Sequence, residues 1–152
     1  PTYGRVADAE LERLDRSLAE AHDRSVIVFV HQLLHTWANP RPWRDLYAVA
    51  NSDAVLEIFA RYGNVRAVFQ GHAHLLDVQE KLVGERPVHF VVTPSSIQFP
   101  LGWLLLTLTP ASMQVQYRPY PLPDISEQSR RAGVGSDWRA GDPAWQDFTV
   151  VF

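Results

Sequence analysis

Two short apolar runs, SVIVFV at 25–30 and VRAVF at 65–69, each follow a stretch with helical spacing, and that order leaves few folds open. In residues 8–22, Leu11, Leu14, Leu18 and Ala21 recur at helical intervals, with acids early, where the positive end of a helix dipole favours them. Residues 52–63 begin at Ser52, a residue type that caps helices, and put Val55, Ile58, Phe59 and Tyr62 on one face before stopping at Gly63. SVIVFV is apolar on both faces, as expected of a strand covered on both sides, and VRAVF reads as another buried strand. Helix, strand, helix, strand is the rhythm of an α/β sheet.

After His74 the pattern changes. Residues 75–83, 87–93, 102–109 and 112–120 read as strands separated by Gly or Pro, and suggest an antiparallel meander. The stretch from His31 to Trp43, with Pro40 and Pro42, reads as a long loop. From Leu122 onward no clean period is present, so the expected organisation is a folded unit over 1–120 and a surface tail over 121–152. Trp138 or Trp145 could anchor that tail, and FTVVF at its end could add an edge strand.

The length, 152 residues, suits one domain with a real core, and 46% apolar with 20% charged residues is a globular balance. A net charge of −3 argues against a nucleic-acid backbone as the main partner. No apolar run approaches the roughly 18–20 residues of a membrane span, and no signal sequence is visible. Cysteine is absent, which excludes disulfides, thiolate metal sites and cysteine nucleophiles, and fits a cytoplasmic protein. Any metal must be held by His, Asp, Glu or Asn.

Three of the six histidines sit where a strand gives way to a loop: His31 after the first apolar run, His72 and His74 after the second. Sites in α/β sheets form at the carboxyl ends of parallel strands, so neighbouring strands would bring these imidazoles within reach of one another. In extended backbone, residues two apart point to the same face, Gly71 permits a sharp turn into the pair, and Ala73 is too small to obstruct a ligand. Neutral imidazole is a good ligand for zinc, manganese or iron. His31 and His35 are four apart, but no Glu follows His31, so the metalloprotease pattern is absent. His35 is expected to line the loop or a substrate pocket. His22 reads as a dipole partner at a helix end, and His89 as a sheet histidine.

A strand ending in His31, a helix, a strand ending in GHAH at 71–74 and then antiparallel strands together resemble the C-terminal half of calcineurin-like metallophosphoesterases, whose fold is an α/β/β/α sandwich. VVTPSSIQF at 91–99 and the strand after it are similar to the class III cyclic nucleotide phosphodiesterase branch. The resemblance covers about residues 5–120. It implies that His31 and His72 are ligands of one metal and His74 of another. It also implies two divalent ions, Mn, Fe or Zn, that act on a small phosphoester substrate, with a hydroxide attacking in line. Many relatives have His-Pro after the first histidine, whereas Gln32 and Leu33 follow it here.

The family's Asp-x-His, Gly-Asp-x-x-Asp and Gly-Asn-His-Asp/Glu motifs do not occur in these 152 residues. GDPAW at 141–145 has Trp145 in place of the second Asp, and GNVR at 63–66 lacks the His and acid. Three neutral imidazoles offset none of the four positive charges of two divalent ions. Without a carboxylate bridge their repulsion costs many kcal/mol even at an effective dielectric of about 20, so this chain alone is expected to hold at most one ion. The chain opens at Pro1, directly into a helix that follows the missing half in relatives, which favours the C-terminal part of a longer enzyme. The other readings are a partner half on a separate chain, and a non-catalytic metal-binding or protein-interaction module. As a fragment the chain is expected to expose an apolar sheet face and to self-associate, or to pair with the N-terminal half.

Overall fold

The computed structural model describes residues 4–38, 47–133 and 136–152. Its elements in chain order are α1 (Asp8–Glu20), β1 (Val26–Val30), α2 (Ser52–Tyr62), β2 (Val65–Gln70), β3 (Asp77–Val83), β4 (Arg86–Val92), β5 (Gly102–Leu108), β6 (Ser112–Pro119), α3 (Pro123–Ala132) and β7 (Asp147–Val151). Two short 3-10 turns, Asp137–Ala140 and Pro143–Gln146, lie between α3 and β7. Of the loop expected from His31 to Trp43, residues 39–43, including Pro40 and Pro42, lie outside the described residues. No helix among the described residues is long and apolar enough to cross a membrane.

The strands form two sheets: a four-stranded sheet in the order β1-β2-β4-β3, and a three-stranded antiparallel sheet in the order β5-β6-β7. β1, β2 and β4 run parallel, and β3 returns antiparallel to β4. The four strands expected as one meander are therefore divided. The β3–β4 hairpin belongs to the parallel sheet because β4 is apolar on both faces, Val88 and Phe90 on one and Val91 on the other, which suits an inner position. β1 lies at the sheet edge; Val26, Val28 and Val30 pack on the helix side and Ile27 toward the second sheet, as expected of a strand covered on both sides, but Phe29 is 68% exposed.

Three layers result. Leu18 of α1 and Val55, Ile58 and Phe59 of α2 pack on Val65, Val68 and Phe90. Phe59 and Phe90 are 1% exposed, and burial on that scale stabilises by roughly 1.5–3 kcal/mol for each such side chain. On the opposite face, Ala67, Phe69 and Val91 pack on Met113, Val115 and Val150 of the second sheet. The N-cap of α2 falls on Asn51 rather than Ser52. The Asn51 side chain makes no capping bond but accepts from the Val6 amide and donates to the Val6 carbonyl, both at 2.9 Å. At its other end Gly63 takes the left-handed conformation, φ 61°, and closes the last turn with its amide on the Phe59 carbonyl.

The segment expected as a surface tail is folded. α3 carries no buried residue, but β7 completes the second sheet beside β6, and Val150 is 1% exposed. Trp138 packs against a third apolar group that includes Leu33, Trp37, Ala73 and Leu75, under the loop after β2.

Candidate metal centre

β1 and β2 end side by side. Val30 lies opposite Gln70, and the Gly71 amide donates to the His31 carbonyl at 2.9 Å. That bond joins the two residues leaving the strands, and the first pair of imidazoles meets there. Nδ1 of His72 is 3.2 Å from Nε2 of His31, with the rings inclined at 73°. Tyr47 packs edge-on to His72, with 5.4 Å between centroids, and Trp37 packs on Tyr47 at 5.3 Å. His31 is exposed, so the pair opens to solvent.

His74 points elsewhere: its Nδ1 faces Oε1 of Gln98 at 2.9 Å. An amide oxygen can only accept, so Nδ1 donates in this contact and Nε2 is the nitrogen that could ligate a metal. The reason for the divergence lies in the backbone. His72 and His74 have φ of 63° and 55°, so the segment is not extended and the period of two that would align their rings does not apply. Gly71 is not the residue with positive φ; the histidines are. Non-glycine residues in that region cost of order 1–3 kcal/mol each and gather at functional sites, where the surroundings must hold them. Ala73 is buried, and its amide closes a tight turn on the Gly71 carbonyl at 2.6 Å.

The supporting side chains come from distant parts of the chain. Gln70, 1% exposed, accepts the amides of Leu34 and His35 at 2.9 and 3.2 Å and donates to the His35 carbonyl at 2.8 Å. Its position directly before GHAH was the signal that could have revealed it. Asp77, fully buried, receives the Ala38 amide at 3.1 and 3.0 Å on its two oxygens. Arg139 donates from Nη1 to the carbonyls of Ala73 and His74, both at 2.9 Å. Ser129 of α3 accepts the amide of Phe99, next to Gln98, at 2.9 Å. No local pattern marks these last two, since each acts across tens of residues.

His35 is not brought to the pair. Its ring lies on Phe90, 5.0 Å between centroids, and burial, then the charge of Lys81, lowers its pKa below the usual imidazole value. His22 donates to the Ala19 carbonyl at the end of α1, 3.2 Å. His89 faces Glu80 across the hairpin at 3.5 Å, and burial holds its pKa down against that carboxylate.

Two imidazole nitrogens bound to one ion, each roughly 2.0–2.1 Å from it, stand about 2.9–3.4 Å apart at right-angled or tetrahedral geometry. The His31–His72 separation of 3.2 Å falls in that range, so the pair fits one divalent ion. Among the described residues no group of three or more His, Asp or Glu is close enough to hold an ion together. Among the described residues the candidate donors are the His31–His72 pair and, turned toward Gln98, His74.

No family model matches the chain. It is 28% identical over 72 residues to the 3',5'-cyclic adenosine monophosphate phosphodiesterase CpdA of Haemophilus influenzae, an alignment covering 47% of this chain and 26% of that protein. To the CpdA of Vibrio vulnificus it is 24% identical over 98 residues, 64% of this chain and 34% of that one. The chain thus spans between about a quarter and about a third of the length of these relatives. Among solved structures, a dimetal phosphatase from Danio rerio matches with a TM-score of 0.67 and 17% identity, over 96% of this chain and 38% of that chain. With helices on a parallel sheet, an antiparallel sheet behind it and histidines at the adjoining strand ends, the chain has part of the fold of the calcineurin-like metallophosphoesterases.

Proposed function

We propose that this chain is part of a metal-dependent phosphoesterase acting on phosphodiesters, cyclic nucleotides foremost. The observation that carries the reading is the His31–His72 pair at the joined ends of two parallel strands, in a fold shared with a dimetal phosphatase. His31 and His72 would hold one divalent ion, of Mn, Fe or Zn, and His74 would offer Nε2 to a second. Such ions supply positive charge to the phosphoryl oxygens and to the attacking water. The chain's own residues aim the ligands: Tyr47 holds the ring of His72 and Gln98 fixes the tautomer of His74.

No carboxylate stands with these histidines among the described residues, so the acidic ligands of a dinuclear centre would come from another polypeptide segment. The place for that segment is the open edge of β1. There Phe29, stacked on Phe69 at 5.3 Å, and Trp103 of β5 line a cleft of about 290 Å³. Its occupant would be the N-terminal part of such an enzyme, or a second copy of this chain in its absence.

The test is hydrolysis of bis-p-nitrophenyl phosphate with added manganese by the longest polypeptide that bears this sequence. Turnover that His72→Ala reduces at least a thousandfold is expected. The absence of a three-residue cluster among the described residues favours one other reading, a non-catalytic metal-binding or interaction module. Cation uptake without turnover in that polypeptide would decide for it.

A further inference from the structure

We propose that Arg139 is the positioning residue of the 72–76 loop, and that the turn carrying it is a built part of the cation site; this rests on the reading of His72 and His74 as ligands. One guanidinium nitrogen, Nη1, donates to two successive carbonyls, those of Ala73 and His74. These carbonyls flank the Cα of His74, so tying both to one point restricts the φ and ψ of that residue, where φ is 55°. The Arg139 carbonyl in turn accepts the Leu76 amide at 2.8 Å. Two residues further, Gly141 comes so near that a Cβ on it would lie 2.3 Å from the Leu76 carbonyl oxygen.

The turn is itself anchored. Trp138 packs against the apolar group that includes Ala73 and Leu75, and the guanidinium lies 4.7 Å above its ring. On the other side, Ser136 donates to the Arg130 carbonyl at 2.9 Å and Arg130 to Asp137 at 3.0 Å, joining the turn to α3. α3 also receives the Phe99 amide on Ser129, beside the Gln98 that orients His74. One C-terminal segment therefore holds both the loop that carries His74 and the loop that carries its hydrogen-bond partner. A guanidinium stays charged throughout the accessible pH range, so the hold is permanent rather than switched.

Two measurements test this. In metal-free protein, amide exchange over residues 72–76 should quicken at least tenfold in Arg139→Ala while β2 and β4 amides are unchanged. In a Co²⁺ titration followed by visible absorption, affinity should fall about 10–100-fold, the usual cost of removing a group that orients a ligand, with altered ligand-field bands. Arg139→Lys, which keeps a cationic donor, should recover part of both. Wild-type exchange and wild-type Co²⁺ affinity in Arg139→Ala would overturn the proposal. Should Arg139→Ala not fold, Arg139→Gln keeps an uncharged NH2 donor on a shorter side chain; weakened Co²⁺ binding there supports the role and undiminished binding overturns it. Failure of the wild-type protein to take up Co²⁺ would sink the metal reading, while the exchange result would still judge Arg139.

Discussion

His31 and His72 could be placed from their positions alone, since each follows an apolar run and parallel strands deliver their ends to one side. The direction of His74 could not. It depends on the sign of φ at two histidines, 63° and 55°, which residue spacing does not encode. His35 and His89 make a different point at the same scale: burial lowers the pKa of each, with Lys81 adding to the shift at His35 and Glu80 opposing it at His89. A lowered native pKa means that the unfolded chain binds more protons between that value and about 6.5. Their contribution to stability is complete above about pH 6.5 and is lost as pH falls through the native values. Urea midpoints should therefore decline from pH 7 toward pH 5, and less so in a His35→Gln, His89→Gln double variant. A double variant declining as steeply as the parent would count against this account.

Among the elements, α1 and α2 were legible because amphipathic spacing is a local property, as was the stop of α2 at Gly63. The partners of β4 were not, because parallel pairing with β2 is decided by what covers both of its faces. Two glycines separate local from tertiary demands. At Gly63 a side chain must adopt φ 61°, but the nearest obstacle is the flexible Arg86 side chain at 3.3 Å. Gly63→Ala should cost about 1 kcal/mol, the usual penalty of a left-handed helix end. At Gly141 the obstacle is the Leu76 backbone oxygen, which cannot swing aside. Gly141→Ala should cost clearly more, about 2–4 kcal/mol, and loosen the 72–76 loop. Chemical denaturation of both variants checks this ordering, and equal losses would contradict it.

At the scale of the molecule, the sheet face that was expected to be exposed is covered by β5, β6 and β7, and the inner faces of both sheets are buried against each other. What stays open are the edge strands, with Phe29 68%, Leu108 57% and Trp103 46% exposed on β1 and β5, and Leu82 68% and Val151 74% exposed on β3 and β7. Unpaired edges with apolar side chains favour association. The chain should therefore be dimeric or larger in light scattering at tens of micromolar, and Phe29→Lys should shift it toward monomer; a monodisperse parent monomer would refute this. By itself the sequence determined the helices, the two strand ends and the imidazoles that leave them, because periodicity and chain direction are written in neighbouring residues. Only the tertiary structure decided that His31 and His72 touch, that His74 turns to Gln98, and that Arg139 clamps the loop between them. Those contacts span 24 to 66 residues and depend on left-handed backbone that surrounding packing must enforce, which no local pattern can specify.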